Sequence, residues 1–385
     1  MDKSPTHLRE VAGLFLRLGF TAFGGPAAHI AFMRDEVVRK RGWVTDEQFV
    51  DLMGVANLIP GPTSTELAIY LGYLRAGWQG LIVAGICFIF PAMAMVLILA
   101  ALYVQYGTLP QVTWLFYGIQ PIVVAIILQA LWNLRRAALK TTPLVVLMII
   151  VLILYFLGVN VLVLLLGSGI LAAAWRWSRD RLKAKEHLAA MLPFLKSHLT
   201  IAGTAAGATA TVSLLTLFLT FLKYGAVIYG SGYVLLAFLR TDLVQNLGWL
   251  TDRQLLDAIT IGQVTPGPVF TTATFIGYVI SGLPGALLAT LGIFLPSFAL
   301  IALVHPIAAR LRTFPPTAAL LDAVNAAAFG LMLGVLIQIA QVALVDPLTW
   351  LVAILALIAL LRFKVNSTWL IAAGILIGLA RAVVH

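Results

Sequence analysis

Apolar residues run through this chain in long blocks, and polar positions gather at the joints between them. Leu81–Tyr103, Pro143–Leu157 and Leu348–Leu361 are such blocks. None alternates with the period of two of a barrel wall, so they predict helices, the longest of them long enough to cross a bilayer. Two joints stand out of place. Asn57–Thr65 reads N-L-I-P-G-P-T-S-T and Gln263–Thr271 reads Q-V-T-P-G-P-V-F-T, each inside an apolar region. Pro-Gly-Pro stops a helix, so the pattern predicts helices that end within the membrane.

Composition agrees with that pattern. Of 385 residues, 61% are hydrophobic and 10% charged, against about 25% charged in soluble proteins. The expectation is an all-α, multi-pass protein in contact with lipid. The net charge of +10 then belongs to cytoplasmic loops and not to a nucleic-acid partner. Arg176–His198 reads as a basic linker. Glu10 and Arg17 interrupt the first segment, and no small-residue cleavage site follows it, so no cleavable leader is expected. One cysteine, Cys87, excludes an internal disulfide and a cysteine metal cluster. Six scattered histidines predict no metal site, and no cofactor is expected. H-E-x-x-H, G-x-S-x-G and P-loop motifs are missing. A transporter is therefore expected rather than an enzyme, with an intramembrane enzyme as the rival of a different class.

The chain is one unit written twice. Shifted by 206 residues, F-L-R-L-G at Phe15–Gly19 falls on F-L-K-Y-G at Phe221–Gly225, and G-W-V-T-D-E-Q at Gly42–Gln48 falls on G-W-L-T-D-R-Q at Gly248–Gln254. The two P-G-P triplets coincide, and 17 of the 48 ungapped positions from Phe15 to Pro62 are identical. One residue then drops out, and the match resumes at Leu71–Tyr73 with Ile276–Tyr278 and at Phe90-Pro91 with Leu295-Pro296. The expected organisation is an N-terminal repeat over 1–178, a linker and connecting transmembrane helix over 179–220, and a C-terminal repeat over 221–385. A unit of this length has the size of a transporter half.

Charge places the halves in opposite orientations. In the first half, basic boundaries (Arg34 to Arg41, Arg135 to Lys140, Arg176 to Lys185) alternate with bare ones at Tyr106–Gln111 and Gly158–Val161. In the second half the pattern swaps. The 240–247 boundary keeps only Arg240, and Leu344–Pro347 has no base, whereas His305, Arg310, Arg312, Arg362 and Lys364 occupy the counterparts of bare boundaries. The positive-inside rule reads this as an inverted-topology repeat, with Leu199–Thr220 as the extra crossing.

Thr45–Ile59 and Thr63–Gly77 flank the first P-G-P. Each has about 15 residues, or about 22 Å, short of a hydrocarbon core of about 30 Å. They predict a re-entrant hairpin with its tip near mid-membrane. Phe15–Arg41, broken at Gly24-Gly25-Pro26, is either a second hairpin or one kinked, tilted helix. Irregular backbone at that depth is tolerated where it lines a cavity or protein interior. A helix N-terminus there offers amides and a favourable dipole to an anion. The candidate anion-binding residues are Gly24, Gly25, Asn57, Gly61, Thr63, Ser64 and Thr65 in the first half, and Gln263, Gly267, Thr271 and Thr272 in the second. Arg17 and Lys223, at repeat-related positions, are the candidate compensating charges.

Glu66, with Thr272 as its counterpart, is the candidate proton-coupling carboxyl, and Asp322 is a second. Arg34 and Arg240 read as ion-pair formers with neighbouring Asp35, Glu36 and Asp242, Asp46 and Asp252 as capping residues, and His29 as a packing or local hydrogen-bonding group. Gly203 and Gly207 form a G-x-x-x-G that suits close packing, either between the halves or between subunits of a homodimer.

The early G-G-P at Gly24–Pro26, the G-W-x-T-D-x-Q that follows and the P-G-P after it resemble the chromate ion transporter family in its long, two-domain form. The resemblance covers essentially the whole chain. It departs at Gly230-Ser231-Gly232, which stands where the first half has G-G-P. The resemblance implies a secondary transporter of the cytoplasmic membrane that exports chromate with the proton-motive force and confers chromate resistance. Sulfate, a tetrahedral dianion of similar size, is the expected competitor, and another small anion is the alternative substrate.

Overall fold

The computed structural model describes residues 5–23, 25–57, 59–107, 109–183, 212–228, 234–304 and 315–384. Every regular element among them is helical. In chain order the α-helices are α1 (Pro5–Thr21), α2 (Gly25–Arg34), α3 (Asp46–Ala56), α4 (Thr63–Tyr106), α5 (Pro110–Ala138), α6 (Thr142–Phe156), α7 (Val161–Lys183), α8 (Leu214–Val227), α9 (Leu235–Leu239), α10 (Asp252–Val264), α11 (Thr272–Val304), α12 (Pro315–Ala343), α13 (Pro347–Arg362) and α14 (Ser367–Val384). Four regions, within α4, α5, α11 and α12, are long and apolar enough to span a bilayer. Gly24, the G-x-x-x-G pair Gly203 and Gly207, and His305, Arg310 and Arg312 lie outside the described residues.

Repeat-related sequence gives repeat-related local structure. Thr45 accepts from the amide of Gln48 while Gln48 accepts from the amide of Thr45, and Thr251 and Gln254 do the same. These capping boxes start α3 and α10 at equivalent residues. Asp46 and Asp252 are therefore first-turn residues, not caps. Asp35–Lys40 and Arg240–Asn246 are both wide π-helical turns.

The long helices α4 and α11 fold back sharply near their starts. Gly77 (φ 63°) and Gly282 (φ 61°) interrupt helical geometry at matching positions. In α4 the backbones of Gly72 and Gly80 then lie against each other, as do those of Gly277 and Gly285 in α11, so closely that a Cβ on any of the four would strike the facing backbone. Beyond the turn, Trp78, Ile82, Ile86 and Phe90 expose one stripe of α4, and Leu283, Leu287, Leu291 and Leu295 the matching stripe of α11. Every-fourth-residue exposure of large apolar groups is the face a membrane helix turns to lipid.

The repeats are interlocked. Within each, the first helix packs on the long one: α1 on α4, α8 on α11. The remaining helices cross over. α5 packs against α13 and α14 of the other repeat, and α12 packs reciprocally against α6 and α7. Gly118 of α5 and Gly374 of α14 make backbone contact there. A hydrophobic core cluster runs through α5, α10, α11 and α12, while a second one is built from α1 to α4.

Candidate functional site

The two breaks bind each other's repeat. The amide of Gly61 donates to the carbonyl of Ile228 at 2.7 Å, and the amide of Gly267 donates to the carbonyl of Ala22 at 3.1 Å. Both glycines have positive φ, 137° and 94°, which spares a side chain at a close approach. Ala22 and Ile228 follow α1 and α8. Each P-G-P thus meets the end of the opposite repeat's first helix.

The first-repeat break is polar. Thr65 and Glu66, in the first turn of α4, and Ser297 of α11 are fully buried. The Thr65 hydroxyl, both Glu66 carboxyl oxygens and the Ser297 hydroxyl make no hydrogen bond of normal geometry among the described residues, although the Ser297 hydroxyl lies close enough to Glu66 to interact with its carboxyl. A Cβ at Gly61 would strike Oε1 of Glu66 and fall 2.5 Å from Oγ of Ser297, so these two side chains meet at Gly61, with Thr65 next to Glu66 in the same helix turn. Beside them, His29 Nε2 lies 2.9 Å from the Ala22 carbonyl and Nδ1 lies 3.3 Å from Oγ of Ser64. Donation from Nε2 to the carbonyl leaves Nδ1 of a neutral ring to accept from the serine. The edge-on ring of Phe88, with centroids 5.6 Å apart, covers the imidazole.

The second-repeat break is not equipped in this way. Its hydroxyls are used by their own backbone, Thr271 on the carbonyl of Pro268 and Thr272 on that of Val269, both at 2.8 Å. The group facing Gly267 is the methyl of Ala92, 2.7 Å from a built Cβ. Ala92 is the repeat counterpart of Ser297.

The other candidates do not all gather at this seam. Thr63 Oγ1 donates to Asn57 Oδ1 at 3.4 Å, across the break. Gln263 has a buried, unpartnered Nε2. Gly25 (φ 75°) opens α2. Arg17 is half exposed and ion-paired with Glu36 at 2.6 Å. Lys223 makes the repeat-related pair with Asp242. Glu36 lies in the connection between α2 and α3. Burial works against its charge, but the Lys40 ammonium and the Arg17 guanidinium outweigh it and hold the carboxyl below its ordinary range. Asp322 pairs with Lys140 at 2.7 Å, away from the breaks. Arg34 and Arg240 bind Asp46 and Asp252, each at 2.8 Å, and not the carboxylates adjacent in sequence.

His29 makes the local hydrogen bonds expected of it. Two features escape the sequence reading. Ser297 is marked only by Leu-Pro-Ser standing opposite Phe-Pro-Ala. Asp257 is buried and accepts from Tyr103 and from Gln120, both at 2.8 Å, tying α10 to the first repeat; its partners are 154 and 137 residues away.

Two interlocked helical repeats, each broken at a Pro-Gly-Pro and joined through those breaks around buried polar groups, define a multi-pass membrane transporter. The chain belongs to the chromate transporter family, whose family model matches residues 9–173 and again 215–379. A chromate transport protein of Cupriavidus metallidurans is 35% identical over 98% of this chain and 94% of its own length. A probable chromate transport protein of Synechococcus elongatus is 31% identical over 91% and 89%. A chromate transport protein of Pseudomonas aeruginosa is 31% identical over 88% and 82%. No solved structure matches the chain.

Proposed function

We propose that this protein carries chromate out of the cytoplasm across the cytoplasmic membrane, energised by the proton-motive force. Family membership supports the substrate class. The observation that carries the mechanism is the reciprocal pairing of the breaks, Gly61 to Ile228 and Gly267 to Ala22. Broken helices at the interface of two inverted repeats are where secondary transporters bind substrate. A re-entrant reading of the first break is supported by Arg75, whose guanidinium lies 5.4 Å from the Trp43 ring. The two ends of that segment therefore meet, and its P-G-P tip lies deeper in the protein. Charge alternation supports the inverted orientation.

In this reading Gly61, Thr63, Ser64 and Thr65 form the anion site with Gly267, and Asn57 and Gln263 flank it. Thr271 and Thr272 shape the opposite helix start. Glu66 is the protonatable group. Arg17 and Lys223, each held by a carboxylate, supply charge at the entrances when those pairs open. Labelled chromate accumulation in inside-out vesicles tests the reading, comparing the native chain with Arg17→Gln, with and without a respiration-generated proton-motive force and with excess sulfate. Uptake that needs the proton-motive force, that sulfate reduces and that Arg17→Gln lowers is expected. No uptake above empty vesicles by inserted protein would sink the chromate assignment.

A further inference from the structure

We infer that Thr65 and Glu66 of the first repeat and Ser297 of the second form a single pocket that binds an oxyanion and a proton together, so that export is proton–anion co-transport driven by the membrane potential. This rests on the reading of the breaks as the anion site and specifies how that site couples.

The pocket is single because the repeats differ there. Around Gly61 stand the Glu66 carboxyl and the Ser297 hydroxyl, with the buried Thr65 hydroxyl in the same helix turn; around Gly267 stand a methyl group and hydroxyls already bound to backbone, and Gln263 brings that break a neutral amide but no ionisable group. Buried polar groups are normally paired. A buried carboxyl and a buried hydroxyl that meet from two elements at a helix N-terminus, with a second unpaired hydroxyl beside the carboxyl in sequence, indicate a ligand that completes them. In this conformation they close on one another at Gly61, so an anion is admitted by parting of the α4–α11 seam.

The charges nearby set the coupling. α11 has no acidic or basic residue. On α1, Arg17 is held by Glu36 and Glu10 by Arg75 of α4. On α2, His29 is bound to Ala22 and Ser64, and Arg34 to Asp46. On α8, Lys223 is held by Asp242. On α10, Asp257 is bound by Tyr103 and Gln120. Glu47 and Arg253 stand in the first turns of α3 and α10, at the ends away from the breaks.

Among the described residues, Glu66 is thus the ionisable group that meets Ser297 at Gly61, and His29 beside it is already bound. An ionised carboxylate there repels a dianion in a dry pocket. A neutral carboxyl instead donates its O–H to an anion oxygen, beside the hydroxyls of Thr65 and Ser297. Proton and anion therefore each raise the affinity for the other, and the linkage is reciprocal. Ligands that bind together in an alternating-access carrier cross in the same direction. A dianion with one proton moves one net negative charge outward, which a negative cytoplasm favours and an acidic exterior opposes.

Calorimetric titration of the purified protein with chromate, and separately with sulfate, in two buffers of different ionisation heat, reads the proton directly. Uptake of about one proton per bound anion is expected. Glu66→Gln, nearly isosteric, is expected to bind without proton uptake. Ser297→Ala, which copies Ala92 of the first repeat, is expected to bind about tenfold more weakly. In inside-out vesicles, a lumen-positive potassium diffusion potential alone should drive chromate uptake, and an acidic lumen alone should not. Proton release on binding, uptake driven by an acidic lumen, or proton uptake that persists in Glu66→Gln would overturn co-transport while leaving the anion site standing. Failure of folded native protein to bind either anion would remove the anion site and this inference with it.

Discussion

The amide of Gly61 donates to the carbonyl of Ile228 at 2.7 Å, and its repeat partner Gly267 returns the bond to Ala22. The two breaks are thus halves of one joint. Each lies where a side chain would collide, Gly61 with Glu66 and Ser297, Gly267 with Ala92.

Alanine at either glycine should therefore destabilise the joint and impair transport. Backbone strain alone costs on the order of 1–3 kcal/mol at such angles, and the steric conflict adds to it. Ala92→Gly should partly restore the thermal stability of Gly267→Ala, because it removes the methyl that the new Cβ meets. Melting of the purified single and double variants checks this. An unchanged melting temperature in Gly61→Ala would contradict the close packing.

Trp43 and Arg75 should be reached from the same side of the membrane. In a Cys87→Ser background, single cysteines at 43 and 75 are expected to react with an impermeant maleimide added to the same face. Labelling from opposite faces would show that the P-G-P segment crosses the membrane.

The cluster of Glu36 with Arg17, Lys40 and Arg41 should be acid-sensitive. The folded carboxyl lies below its ordinary value of 4.5, so its contribution is present above that pH and is lost as pH falls through the lowered folded value. The stability gap between native protein and Glu36→Gln should be full at neutral pH and close below pH 4.5. A gap that widens in acid would refute the assigned ion pairs.

Asp257 should matter for stability through its two partners. Hydrogen bonds to charged groups contribute roughly 1.5–3 kcal/mol. Tyr103→Phe and Gln120→Leu are each expected to lower stability by about that amount, and the double variant by less than their sum. Strict additivity, measured by denaturant or thermal unfolding, would argue against a shared carboxylate.

Much of this architecture is legible in the chain. The helical class follows from continuous apolar runs, the doubling from matches such as G-W-V-T-D-E-Q with G-W-L-T-D-R-Q, and the breaks from P-G-P. These signals are local, set by backbone sterics and by the insolubility of unpaired amides in lipid. Arg17 and Lys223 show where that reading runs short. Their matched positions are visible, but their carboxylate partners, Glu36 and Asp242, are fixed by how α1 and α8 fold against the connecting turns.

What the sequence by itself determined is therefore two copies of one helical unit, each stopped at a Pro-Gly-Pro. Tertiary structure alone decided that the copies interlock, with α5 lying among α13 and α14 and α12 among α6 and α7. It also decided that Ser297, 231 residues from Glu66 in sequence, meets that carboxyl at Gly61, where its repeat counterpart Ala92 puts a methyl against Gly267. The reason is physical. Propensity and periodicity act within a few turns of chain, whereas the placement of a lone hydroxyl against a buried carboxyl depends on which helices share a seam. Only the packed molecule specifies that.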